Sequence, residues 1–154
     1  MAPRFVSFRA RAEPRSRGGI TIALPFDPDT EWSTKDRHYI AGTIGGYRMR
    51  GVLSDADDRW VLSLGPAWCR YPRVGPGSDV DVVLEPEGPQ VETMAPDLAA
   101  ALTAAPDVRR LFESLAPFYR NGFVDWVEDA KRPETRARRI EDTVTALRAG
   151  RRQH

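Results

Sequence analysis

The stretch VDVVLEPEGPQVETMAPDLAAALTAAP, residues 80–106, changes its period partway along. Val80, Val82 and Leu84 alternate, so they fall on one face of an extended chain. From Pro96 the spacing turns helical, with Leu98, Ala101 and Leu102 as a short stripe. Fold class depends on what lies on either side of this switch.

Upstream, the chain reads as short strands and turns. In RFVSFRARA, Val6, Phe8 and Ala10 form the apolar face, opposite Phe5, Ser7 and Arg9. Ile20 to Leu24 reads as a strand stopped by Pro25, followed by a loop or single helical turn in FDPDTEW. YIAGTIGGYRMRGVL reads as a hairpin, because Gly45-Gly46 suits a two-residue turn that needs positive φ at both positions. DADD, residues 55–58, is a polar turn before the strand RWVLSL. GPAWCRYP reads as a helical turn and VGPGSD as another turn.

Downstream, Pro96, Pro106, Pro117 and Pro133 each precede helical spacing, and proline suits a first helical position. The expected apolar stripes are Val108, Leu111, Phe112 and Leu115; then Tyr119, Phe123, Trp126, Val127 and Ala130; then Ala137, Ile140, Val144 and Leu147. Gly150 is expected to end the last helix, and RRQH to fray. Strands followed by helices predict an α+β protein. The boundaries are a small β-barrel over 1–95 and a helical segment over 96–154.

Bulk chemistry narrows the function classes. The 154 residues carry a formal net charge of +1, with eleven Lys/Arg against nine Asp/Glu from residue 96 onward. That balance disfavours a general nucleic-acid binder, which usually has a large positive excess. Cys69 is the one cysteine, so neither a disulfide framework nor a cysteine-rich zinc site is available. No apolar run approaches the roughly 20 residues that span a bilayer. The opening MAPRFVSFRARAEPR lacks an apolar signal-peptide core. The expectation is a cytoplasmic protein without a membrane partner. Oligomeric state is not legible.

Individual chemistries are weak. His38 and His154 are the histidines, and neither has convincing zinc spacing with other ligands, so no metal or cofactor is expected. DADD resembles the start of a calcium loop but lacks its central glycine and has Pro66 where the last carboxylate belongs. Cys69 stands beside Arg70, which can activate a thiol, but no base is evident and core filler is the simpler reading. GTIGG lacks the Lys-Ser/Thr of a phosphate loop. Asp27, Asp29 and Glu31 could seat a cation or a base, although the flanking prolines suggest a solvated loop. An enzyme with an unrecognised site stays open, and no catalytic residue is assigned.

KRPETRARR, residues 131–139, concentrates positive charge. With Pro133 opening a helix, Glu134 complements its dipole and precedes Arg138 by four. Arg132, Arg136 and Arg139 then form one ridge, near Tyr119 and Trp126 of the previous helix. Arginine beside an aromatic is a common structural pairing, the reading that residue chemistry favours here, although the same pairing can hold an anionic or aromatic ligand.

FVDWVEDAKRPETRARRIEDTVTALRAGRR, residues 123–152, resembles the C-terminal segment of the bacteriocin-protection proteins, also called YdeI or OmpD-associated. The matching positions are Trp126, Ala130, Lys131, Glu134, Thr135, Arg136, Arg138, Arg139 and Ile140. The first half resembles DUF1905, a domain of unknown function often fused to that segment. It does so through Phe5 to Phe8, Leu24-Pro25, Gly42 to Gly46 and Gly77 to Pro86. After the hairpin the family pattern is Pro-Phe-Arg where this chain has Arg48-Met49-Arg50, so Arg50 alone carries over. The resemblance implies a double-split β-barrel and names no reaction. The expected function is non-catalytic binding of a small-molecule or anionic ligand where barrel meets helices, in stress or bacteriocin protection. Arg50, Tyr119, Trp126, Lys131, Arg132, Glu134, Arg136 and Arg139 are its candidate contacts. A DNA-binding regulator is the alternative, by analogy of fold alone.

Overall fold

The computed structural model describes residues 4–154; the first three residues of the opening stretch, and of the expected 1–95 region, lie outside it. The chain divides into two compact units, one running to Pro86 and one from Glu87 to His154.

The N-terminal unit is antiparallel throughout its described strands. One sheet contains β1 (Val6–Arg11), β4 (Tyr39–Ile44), β5 (Tyr47–Val52) and β8 (Asp79–Pro86), in the order β1-β8-β4-β5. The other contains β2 (Glu13–Pro14), β3 (Ile20–Ala23), β6 (Ser54–Ala56) and β7 (Arg59–Leu64), in the order β2-β3-β7-β6. Alternation sets the faces. Val80, Val82 and Leu84 of β8 are buried, and Val6, Phe8 and Ala10 of β1 pack on the same core. On the outer face Arg9 pairs with Asp81 at 2.9 Å and Arg11 with Asp79 at 3.4 Å, each directly across the β1–β8 ladder. Ile20 and Ile22 face the core beside Leu64 and Leu62 of β7.

Both edges of the first sheet continue into edges of the second. β1 passes into β2 through Ala12, and β5 passes into β6 through Leu53. Each corner residue is buried, and its amide is satisfied: Ala12 donates to the Ser78 carbonyl at 2.8 Å and Leu53 to the His38 carbonyl at 3.0 Å. Strands that switch sheets at a bend are how two packed sheets make a corner. Among the described residues the ladders form two separate sheets rather than one hydrogen-bonded ring.

Glycines in this unit serve two distinct physical purposes. Gly45 and Gly46 form the β4–β5 turn at φ +57° and +84°. Gly42 instead permits close approach: a Cβ there would lie 1.8 Å from the Val83 carbonyl oxygen. Of DADD, read from the sequence as a turn, Asp55 and Ala56 end β6, and only Asp57 and Asp58, both at positive φ, turn the chain into β7. Helical turns α1 (Pro28–Glu31) and α2 (Pro66–Cys69) fall in FDPDTEW and GPAWCRYP, as the sequence suggested.

The C-terminal unit contains α3 (Pro96–Ala104), α4 (Pro106–Ser114), α5 (Pro117–Glu128) and α6 (Pro133–Arg148), each opening on its proline. Val91, ahead of α3, is buried in the same core as Leu98, Phe112, Phe123 and Leu147, so the segment preceding Pro96 packs with the helices. Two stripe positions face solvent instead of the core: Leu111 is 42% exposed and Ala137 is also exposed. The α4 stripe is narrower than the spacing suggests, because Val108 and Phe112 already fill its contact, and on α6 the buried face is Ile140, Thr143, Ala146 and Leu147. α6 ends in a Schellman turn, with Gly150 donating to Leu147 and Arg151 to Ala146, both at 2.9 Å. Mixed α+β architecture, strands first and helices second, is therefore what the chain adopts.

Candidate functional site

The basic ridge resolves into separate roles. Arg136 lies in the second turn of α6, and its guanidinium grips Asp97 of α3 through Nε at 2.6 Å and Nη2 at 2.9 Å. Its Nη2 also reaches Glu128 of α5 at 3.1 Å. Two carboxylates thus share one cation. Hydrogen bonds from Arg136 hold the Asp97 carboxyl well below its ordinary range, at about 2, and Asp97 in turn pushes the guanidinium up. Near the other end of α6, Arg148 Nε stands 3.3 Å from Asp107 of α4 and lowers that carboxyl too. Each acid is the residue after a helix-opening proline, where negative charge also complements the helix dipole.

Arg139, one turn on, closes the end of α5. Its Nη1 donates to the Trp126 carbonyl at 2.7 Å, one of the carbonyls that α5 leaves unpaired. Its guanidinium carbon lies 5.2 Å from the Trp126 ring centre, a cation–π distance. Lys131, Arg132 and Glu134 are exposed around the α5–α6 link. Arg50 lies on β5 of the N-terminal unit and is exposed. The structure therefore brings Tyr119, Trp126 and Arg139 to one face of α5, and draws Arg136 away to an ionic cluster with α3.

What the sequence missed is the segment after α6. RRQH was expected to fray, and it folds back over α5 instead. Arg152 lies 5.7 Å from the Tyr119 ring centre, and the His154 ring stacks on Trp126 at 4.5 Å with 2° between planes. The Schellman turn at Gly150 supplies the reversal, and the aromatic stripe of α5 supplies the landing surface. A cleft of about 510 Å³ opens there, lined by Tyr119, Arg151, Arg152 and His154 among others. None of its lining side chains is acidic.

Arg120 was also missed. It is 4% exposed, and its guanidinium donates to the carbonyls of Leu115 at 3.0 Å, Pro89 at 2.7 Å and Glu87 at 2.8 Å. It ties the segment after Pro86 to the start of α5. No local spacing announces a buried arginine whose partners are main-chain carbonyls.

In the N-terminal unit, His38 belongs to an aromatic column. Phe8, Phe26, Trp32, His38 and Trp60 follow one another at ring separations of 5.2 to 6.3 Å. His38 is 2% exposed, with Nε2 2.6 Å from Asp29 Oδ1. Asp27 caps α1 by accepting from the Asp29 amide at 2.9 Å. Two members of the acidic cluster thus have local partners. Cys69 is half-buried against the sheet core. Among the described residues no group of three His, Cys, Asp or Glu side chains could hold a metal ion, and no helix is long and apolar enough to cross a membrane.

Comparison with known proteins agrees with both halves. Residues 8–84 match the model of DUF1905, a domain of unknown function. Residues 93–150 match the model described as bacteriocin-protection, YdeI or OmpD-associated. No curated protein matches the chain.

Proposed function

Since the chain belongs to the DUF1905 family and carries a bacteriocin-protection, YdeI or OmpD-associated segment, we propose that it is a non-catalytic binding protein whose helical unit takes an anionic small molecule. The observation that supports this reading is the cleft beside Tyr119, with exposed Arg151 and Arg152 on its wall and no acidic side chain among its lining. Arginine pairs suit carboxylate and phosphate because the planar guanidinium donates in a fixed fork. Arg136 is a poorer candidate contact, since two carboxylates already claim it. The site thus moves along the helices from the 131–139 ridge to the segment after α6.

Two finer attributes belong to the same proposal. A double-split barrel is the reading of the N-terminal unit that best explains why both edge strands bend from one sheet into the other. A cytoplasmic role in bacteriocin or stress protection accords with the family's name and with a free cysteine.

The test is calorimetric titration of the full chain with inorganic pyrophosphate at low ionic strength. Binding that is lost when Arg151 and Arg152 are both changed to Ala supports the reading. No heat at millimolar pyrophosphate, or heat that the double variant retains, refutes it.

A further inference from the structure

We infer that the aromatic face of α5 is a stacking site for a purine nucleotide, and that His154 holds the position of its ring in the described conformation. The inference rests on the binding role proposed above, since the same arginine pair would take the phosphate.

Tyr119, Phe123 and Trp126 stand at i, i+4 and i+7 on α5, so one face of the helix carries all three. Phe123 is buried in the helical core, while Tyr119 and Trp126 are half-buried. Trp126 is a fixed platform, because Arg139 holds both its carbonyl and its ring. On this platform lies a flat heteroaromatic ring of the chain itself. The imidazole of His154 is parallel to the indole within 2°, at 4.5 Å between centres. Most other ring contacts in this protein are edge-on or tilted; this one is face to face. No hydrogen bond among the described residues holds the imidazole, so a better stacking ring can displace it.

The surroundings select the ring. His154 lines three clefts. One of about 420 Å³ includes Phe118, Gly122 and Asp125, and one of about 510 Å³ includes Trp126, Asp142 and Thr145. The third is the arginine cleft. Volumes of this order suit small-molecule ligands. Asp142 beside Trp126 is a hydrogen-bond acceptor, which suits the amino edge of a purine and repels an anion. The phosphate therefore belongs with Arg151 and Arg152. A bicyclic base also covers an indole more fully than an imidazole does, and base-on-aromatic stacking is typically worth about tenfold or more in affinity.

The experiment is calorimetric titration of the full chain with guanosine 5′-monophosphate, and separately with inorganic phosphate. The nucleotide is expected to bind at least tenfold tighter than phosphate. Trp126→Leu should remove that advantage, and His154→Ala should tighten nucleotide binding several-fold by removing the competing ring. An indole Nε1–H resonance lost in Trp126→Leu assigns the signal, which should shift in the wild type on nucleotide addition and not on phosphate addition. Phosphate binding with no nucleotide advantage overturns the stacking site and leaves the anion reading standing. Silence from both ligands overturns both. A nucleotide advantage with no Trp126 shift and no effect of His154→Ala places the site elsewhere and overturns the inference.

Discussion

Arg136 and Asp97 meet fork to fork: Nε is 2.6 Å from Oδ2 and Nη2 is 2.9 Å from Oδ1, joining the first turn of α3 to α6. Such bidentate pairs are the stronger class of charge-assisted hydrogen bond. Asp97 is nonetheless 48% exposed and Arg136 23%, so solvent screening keeps the energy small, about 1 kcal/mol at most.

The pair should leave a signature in acid. The Asp97 carboxyl is depressed, from 3.8 to about 2, by the hydrogen bonds of Arg136. A depressed carboxyl contributes stability that is complete above its unfolded value and lost as pH falls through its folded value. The loss therefore falls between about pH 4 and pH 2. Urea midpoints of wild type and Asp97→Asn should differ near neutrality and converge toward the low end of that window. Parallel curves across it count against the pair as a stabilising contact.

Arg120 should matter more than any residue of the exposed ridge. Its three carbonyl partners are main-chain groups in a part-buried setting, and removing the buried guanidinium strands them. Arg120→Met should cost about 3 kcal/mol, by the usual penalty for buried groups left unpaired. Arg120→Lys should recover little, because one ammonium cannot reproduce the planar fork. Urea unfolding followed by the helical far-UV signal reads both. A loss under about 0.5 kcal/mol for the Met variant, the range of an ordinary surface change, contradicts the assignment.

His38 and Asp29 should behave as a structural couple. Asp29→Ala leaves the imidazole nitrogen of a residue only 2% exposed without its partner, which costs about 1–3 kcal/mol. Asp29 Oδ1 also accepts from the Lys35 amide at 3.3 Å, so the loop after α1 should loosen as well. Amide exchange over residues 27–38 measures this. Unchanged protection would show that the couple does not anchor the loop.

Gly42 and Gly45 separate two meanings of glycine three residues apart. A Cβ at Gly42 would overlap the Val83 carbonyl, so Gly42→Ala should yield little folded protein. Nothing approaches within 4 Å of a Cβ at Gly45, whose φ of +57° asparagine tolerates. Gly45→Asn should therefore fold with nearly native stability. Soluble yield and thermal midpoint decide it, and equal tolerance of both changes would overturn the close-approach argument.

Periodicity made most elements legible, for concrete reasons. A proline at each helix start and a Gly-Gly turn are local signals, and β8 alternates cleanly because only one of its faces is covered. Leu111 and Ala137 were misassigned because a stripe marks what a helix offers, whereas burial depends on what its neighbours accept. The ridge at 131–139 was legible as charge, but its partners Asp97 and Glu128 are 39 and 8 residues from Arg136. For the fold-back of residues 151–154 the local pattern gave only the helix end at Gly150, and not the surface that the tail meets. The fold-back arises from a glycine reversal meeting an aromatic face already exposed on α5.

The corners at Ala12 and Leu53 have a mechanical consequence. Because β1 and β5 run on as β2 and β6, peeling an edge of one sheet drags the matching edge of the other. Neither leaflet has an independent rim from which to fray. Opening of the N-terminal unit is thereby made a cooperative event, with amides of both sheets surrendering protection together.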